Sequence, residues 1–200
     1  MEKVILNNMT KYILHGGETG IPNNHNEAFY QEWVKDFKND FTPTILLVYF
    51  SRPLEEWEKL EKQDKERFAK YTNNRLVNFI VADTDINKFQ DQVKSADVVY
   101  VRGGSSETLM NALMPIKDKL LGMLENKIYA GSSAGVMILS DFTRSINTDW
   151  KKGFGLLPIN AFVHYSEELL GDLEFFKNSH KDNKSEYLLI PETEFIIKSY

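Results

Sequence analysis

The sequence predicts an α/β fold: a mostly parallel central sheet covered by helices on both faces, a three-layer sandwich. Three observations predict it. Runs of β-branched and aromatic residues alternate with segments whose apolar residues recur at helical spacing. One run, Thr44 to Phe50 (TILLVYF), is apolar without a break, the pattern of a strand buried on both faces. Small-residue turns follow predicted strands at Gly16-Gly17, Gly103-Gly104 and Gly131 to Gly135. In a parallel sheet, sites lie at the carboxyl ends of strands, so these turns can meet along one edge.

Each element has its own warrant. Lys11 to Gly17 (KYILHGG) is a short strand ending in two glycines, followed by a polar loop, Glu18 to Asn26. Glu27 to Phe37 sets Phe29, Trp33, Val34 and Phe37 on one face of an amphipathic helix. After the apolar strand from Thr44, Pro53 opens a charged helix, Leu54 to Tyr71. Leu76 to Ala82 is the next strand, Ile86 to Ser95 a short helix, and Val98 to Val101 a strand running into Arg102-Gly103-Gly104-Ser105. Ser106 to Asn126 is helical in two pieces, because Pro115 interrupts it. Ile128 to Ala130 is a strand, and Val136 to Leu139 begins a helix. Beyond it, Asp141 to Gly153 reads as polar loop, Ile159 to Val163 as a strand leading to His164, and Glu167 to Phe176 as a helix. Lys177 to Lys184 reads as a surface loop. Tyr187 to Ile190 and Glu194 to Lys198 form a closing hairpin around Pro191-Glu192-Thr193. No repeat or long linker divides the chain, so its 200 residues read as one domain.

Composition narrows the function. A net charge of −5 without a long basic run argues against nucleic acid as the main partner. The absence of cysteine excludes disulfides, thiolate zinc sites and a cysteine nucleophile. No 18-residue apolar stretch exists to span a membrane, and the first residues lack the apolar centre of a signal peptide, so the expected compartment is the cytoplasm. No phosphate loop, dinucleotide fingerprint or metal-ligand cluster is present, so neither cofactor nor metal is expected. The oligomeric state stays open, a homodimer included.

Chemistry concentrates at Lys127 to Leu139 (KIYAGSSAGVMIL). A serine between small residues, joining a strand to a helix, is the pattern of a nucleophile elbow. Side chains at Gly131 and Gly135 would collide with nearby backbone in so tight a turn. Ser133 has glycines two positions away on both sides and Ser132 does not, so Ser133 is the candidate nucleophile. The helix that follows aims its N-terminus at the site. Acyl transfer also needs two N–H donors for the developing oxyanion. Gly104, where backbone can approach a substrate without a Cβ, and Ala134, just after the nucleophile, are the candidates.

Strand-Gly103-Gly104-Ser105, then Gly131 to Gly135, then Gly155-Leu156-Leu157-Pro158 with His164 six residues past the proline, together resemble the peptidase E family of serine peptidases. That family contains aspartyl dipeptidases and, more distantly, cyanophycinases. The resemblance covers about Tyr12 to Phe195. It implies a Ser-His-acid hydrolase on a class I glutamine amidotransferase-like, flavodoxin-like fold, acting on dipeptides or short peptides, those with N-terminal aspartate among them. His164 falls at the family's base position and ends a strand. Of the other histidines, His15 lies within a strand, while His25 and His180 lie in polar loops. Asp149 follows Arg144 to Thr148, a stretch similar to the family's segment before its triad aspartate, and is the expected acid; Asp141 and Glu192 are its rivals. Arg102 and Ser105 depart from the family's pattern, and Arg102 is either a contact for an acidic substrate or a surface ion pair.

Two other classes compete. An α/β-hydrolase esterase shares the G-x-S-x-G signature but places further strands and helices before its histidine. Here His164 comes 31 residues after Ser133. A non-catalytic binding or regulatory module on the same scaffold would keep the residues as remnants.

Overall fold

The computed structural model describes residues 9–145 and 148–200. Residues 1–8, part of the stretch read above for a signal peptide, lie outside the described residues, as do Ile146 and Asn147 ahead of Asp149.

The chain runs β1 (Lys11–His15), α1 (Asn24–Glu32), β2 (Thr44–Val48), α2 (Trp57–Tyr71), β3 (Asn78–Val81), α3 (Ile86–Ser95), β4 (Val98–Val101), α4 (Ser106–Leu113), α5 (Lys117–Leu124) and β5 (Ile128–Ser132). It continues through α6 (Ala134–Met137), β6 (Phe142–Ser145), β7 (Thr148–Lys152), β8 (Ile159–Val163), α7 (Leu170–Ser179), β9 (Glu186–Ile190) and β10 (Phe195–Ser199). Six strands form the main sheet in the order β10-β1-β5-β4-β2-β3. The contacts among β1 to β5 are parallel, and β10 closes one edge antiparallel to β1.

Side-chain alternation sorts the core into two layers. Ile13, Ile45, Leu47, Val98, Tyr100, Ile128 and Ala130 pack against Phe29, Trp33 and Phe68 of the segment from α1 to α2. Tyr12, Leu14, Leu46, Val48, Val99, Val101 and Tyr129 pack on the opposite face with residues of α3, α4, α5 and α6. The break expected at Pro115 is a 3-10 turn, Met114–Ile116, between α4 and α5.

The C-terminal third differs from expectation. Residues 141 to 153, read as a loop, contain β6 and β7, which pair antiparallel. These strands join β8 and β9 in a second sheet of order β7-β6-β8-β9. Their Thr, Arg, Asp and Lys content hid them, since strands of a half-exposed sheet need few apolar residues. The expected hairpin of the last two strands is not formed either. β9 pairs parallel with β8 in the second sheet, while β10 joins β1 in the first. Pro191-Glu192-Thr193 is therefore a crossing between sheets. Since β6, β8 and β9 run parallel, their carboxyl ends share one rim, and the first sheet's glycine turns come to that same rim.

The elbow helix is also shorter than the apolar run suggests. Only Ala134–Met137 is α-helical, a single turn. The segment after the turn then docks on the Gly155-Leu156-Leu157 stretch: Leu139 O accepts from the amides of Leu156 and Leu157, both at 2.9 Å. Gly155 makes this docking in the left-handed region, at φ 66°.

Candidate active site

Ser133 leaves β5 with φ 47° and ψ −101°, a conformation non-glycine residues rarely adopt. Surrounding atoms hold it there. Its amide donates to His15 O at 2.9 Å. A Cβ on Gly135 would lie 2.6 Å from Val101 O, and one on Gly131 would lie 2.9 Å from Gly135 O. Only glycine lets these backbones close the turn.

Seven non-glycine residues have positive φ among the described residues, and three of them are asparagines, which tolerate that region. The other four are Glu18, Ser133, His164 and Thr193, and all belong to the segments that build this rim. Strain of this kind persists only where surrounding structure imposes it, and it collects at functional sites.

The structure brings Ser133 and His164 together: His164 Nε2 lies 3.0 Å from Ser133 Oγ. The carboxylate at His164 is that of Glu192, whose Oε1 lies 3.0 Å from His164 Nδ1. Glu192 is an acceptor, so Nδ1 carries the proton and donates to it, leaving Nε2 to accept from the serine hydroxyl. The His164 side chain is 18% exposed and that of Glu192 51%, so the acid faces solvent.

Strand register explains why Glu192 is there. Val163 of β8 pairs with Ile190 of β9, and the Tyr165 amide donates to Ile190 O at 3.1 Å. The residues that leave these two strands therefore emerge side by side. Asp149, the expected acid, is not at His164. It is exposed on β7 and lines a separate recess with Phe142, Arg144, Trp150 and Phe176. The similarity of its flanking sequence did not fix its place, because β7 is the outer strand of the second sheet and β6 separates it from β8. Asp141 is not at His164 either: it accepts from Ser185 Oγ and lies before β6, at the opposite end of that sheet from His164.

The reacting pair opens into a cavity of about 380 Å³ lined by polar residues, among them Gly17, Glu18, Ser132, Ser145 and Gly104. Gly104 thus lines the cavity into which Ser133 and His164 open. Ala134 is fully buried directly after Ser133, and as the first residue of α6 its amide has no acceptor within the helix. Gly103 crosses over the serine, where an added Cβ would lie 3.2 Å from Ser133 Cβ.

Sequence reading missed the charge of this cavity. Arg52, Arg67 and Arg102 all line it, against one lining carboxylate, Glu18. Arg102 is part-buried, lining the cavity while also ion-paired. It binds Asp64, which is fully buried and also takes Arg67 Nη1 at 3.4 Å and the Tyr49 hydroxyl at 3.0 Å. Burial pushes the Asp64 carboxyl up, against the pull of Arg102. Arg52 is held by its Nε, which donates to Gly103 O at 2.7 Å. Reading α2 only as a charged helix did not show that Asp64 turns toward a strand end 38 residues on.

The sequence profile of peptidase family S51 matches residues 13–196. The chain belongs to peptidase family S51. Membership makes it a serine peptidase, and the peptidase E resemblance of its motifs agrees. Two solved structures share the fold of this S51 peptidase. One is a peptidase from an acI-B1 Actinobacterium, at TM-score 0.64 and 17% identity over 96% of this chain and 85% of that one. The other is a putative peptidase E protein from Listeria monocytogenes EGD-e, at TM-score 0.60 and 14% identity over 96% of this chain and 98% of that one. A search of curated proteins finds no match. Among the described residues no helix is long and apolar enough to cross a membrane, and no group of three or more His, Asp or Glu side chains is placed to hold a metal ion.

Proposed function

We propose that this S51 peptidase hydrolyses dipeptides or short peptides, acidic at the N-terminal residue, through an acyl-enzyme on Ser133. The observation that carries the reading is the line from Glu192 through His164 to Ser133, with both contacts at 3.0 Å. Ser133 Oγ attacks the scissile carbonyl carbon while His164 Nε2 takes its proton. Glu192 keeps the imidazole in the required tautomer and stabilises the imidazolium. The amides of Gly104 and Ala134 hold the oxyanion. His164 then gives its proton to the leaving amine as the C–N bond breaks, and water repeats the steps on the ester.

The cavity supports the substrate class. At about 380 Å³ it sits at the small end of ligand pockets. Its guanidinium groups favour a carboxylate, and the Glu18 carboxylate favours a free ammonium group. A two-residue peptide with an N-terminal acidic side chain carries both.

A panel of dipeptide amides differing only at the first residue tests this. Turnover with Asp or Glu first should exceed turnover with Ala or Lys first by at least about tenfold, with none in Ser133→Ala. Equal turnover across the panel would remove the acidic preference. Parent-level turnover in Ser133→Ala would remove the hydrolase reading.

A further inference from the structure

One buried segment outside the reacting line, residues 15 to 17, bonds to each of the segments that carry it. Three consecutive residues leaving β1 bond the backbones of all three segments that carry the reacting side chains. His15 O accepts from the Ser133 amide at 2.9 Å, Gly16 O from the His164 amide at 3.1 Å, and Gly17 O from the Thr193 amide, next to Glu192, at 2.9 Å. The Gly16 amide donates to Glu194 O at 2.9 Å, on the far side of the same crossing. The fit is close. A Cβ on Gly16 would lie 2.0 Å from Pro191 O, and one on Gly17 would lie 2.1 Å from His164 Cε1. The Gly16-Gly17 turn is the surface on which the imidazole and the Glu192 crossing rest.

That turn is fixed by the side chain of His15, which is fully buried. The Gly17 amide donates to His15 Nδ1 at 3.0 Å. A backbone N–H can only donate, so Nδ1 is unprotonated and the proton sits on Nε2. Nε2 then donates to Asn26 Oδ1 at 2.7 Å. The orientation of the Asn26 amide is set independently, since its Nδ2 donates to Glu18 O at 2.9 Å and Ile21 O at 2.6 Å. Every donor in this chain of bonds meets an acceptor only when His15 is neutral. Burial keeps it so, lowering its pKa to about 4, with the charge of His164 adding to the same effect against the Asn26 bond. The Phe29 ring packs on it at 4.6 Å.

We propose that His15 is a positioning residue of the peptidase, its neutral imidazole pinning the Gly16-Gly17 turn and through it the mutual placement of Ser133, His164 and Glu192. A hydrophobic residue of similar size would fill the space but offer Gly17 no acceptor. Asparagine places Oδ1 where histidine has Nδ1, the same number of bonds from the backbone, and so keeps the Gly17 contact as an Asx turn. Glutamine places its acceptor one bond too far.

The proposal rests on the Ser133-His164-Glu192 reading, and the test separates the two. kcat and KM are measured on one dipeptide amide for the parent, Ser133→Ala, His15→Leu and His15→Asn, with melting temperatures alongside. His15→Leu should lose about 100-fold in kcat, the scale of a misplacement near 1 Å, with KM within about threefold. His15→Asn should recover kcat to within about tenfold of the parent. Should His15→Leu not fold, His15→Gln takes its place with the same expected loss. Parent-level kcat in His15→Leu or His15→Gln overturns the proposal, as does a folded His15→Asn that is as slow as either of them. Turnover unaffected in Ser133→Ala would instead overturn the reading on which it rests.

Discussion

Replacing Glu192 by glutamine tests the acid with a magnitude that the geometry sets. In serine proteases with a buried triad aspartate, the amide substitution costs about 10⁴ in kcat, largely through the wrong imidazole tautomer. Glu192 differs, being half exposed and meeting Nδ1 through one oxygen at 3.0 Å. A glutamine there has room to turn its carbonyl toward Nδ1–H, so the tautomer survives. The remaining loss is the attraction between carboxylate and imidazolium. At this distance it amounts to about 1.4–5.5 kcal/mol across the range from water to a protein surface, and a value near 2–3 kcal/mol, toward the solvent-exposed end, corresponds to about 30- to 150-fold. Glu192→Gln should therefore lower kcat by about 30- to 150-fold on a chromogenic dipeptide substrate, with KM nearly unchanged. Asp149→Asn, in an exposed residue of the outer strand, should stay within about threefold. Added to His164→Ala, Glu192→Gln should cost almost nothing more, because residues that act as a unit fail as a unit. A Glu192→Gln enzyme within threefold of the parent, or an Asp149→Asn enzyme slowed 100-fold, would refute the assignment.

The remaining predictions concern strain, packing and pH. Ser133→Gly and Ser133→Ala both lose the hydroxyl, but only glycine relieves a Cβ at φ 47°. That strain, about 1–2 kcal/mol, outweighs the roughly 0.5–1 kcal/mol of extra chain entropy, so calorimetry should show the glycine variant melting about 2 °C above the alanine one; a lower melting point would contradict the strain argument. Gly17→Ala places a methyl where His164 Cε1 now sits and should reduce kcat at least about 100-fold, read by steady-state kinetics; parent-like kcat would show that the imidazole can move freely. His15 has a pKa lowered to about 4 from an ordinary 6.5, so below pH 6.5 the unfolded state binds the extra proton. Its share of stability is whole above pH 6.5 and shrinks toward pH 4, by up to about 3 kcal/mol. Asp64, raised by burial, acts with the opposite sign in parent and variant alike. Denaturant titrations should show a steeper acid loss in the parent than in His15→Asn, and parallel curves would count against a buried neutral His15.

The parts of this account that could be read from the chain are those in which local chemistry decides. Thr44 to Phe50 is a strand because an unbroken β-branched run buries on both faces. Ser133 stands out because only glycines at 131 and 135 let the turn close. Glu192 was legible only as a rival to Asp149, because its place beside His164 depends on β9 pairing with β8 while β10 pairs with β1. Those long-range registers leave no local mark, and Pro191-Glu192-Thr193 looks the same in a hairpin as in a crossing. The strands β6 and β7 were hidden by their polar residues. The arginine-lined cavity was hidden because Arg52, Arg67 and Arg102 come from segments that meet only once the sheet has formed. His15 looked like an ordinary buried strand histidine, and only its bonds to Gly17 and Asn26 distinguish it.

The central claim is that Ser133, activated by His164, is the nucleophile. Incubation with a fluorophosphonate followed by peptide mass spectrometry tests it most directly. The account predicts one phosphonyl group, on Ser133 and not on Ser132, formed far more slowly in His164→Ala and absent in Ser133→Ala. Modification of another residue, or undiminished labelling of Ser133→Ala, would contradict it.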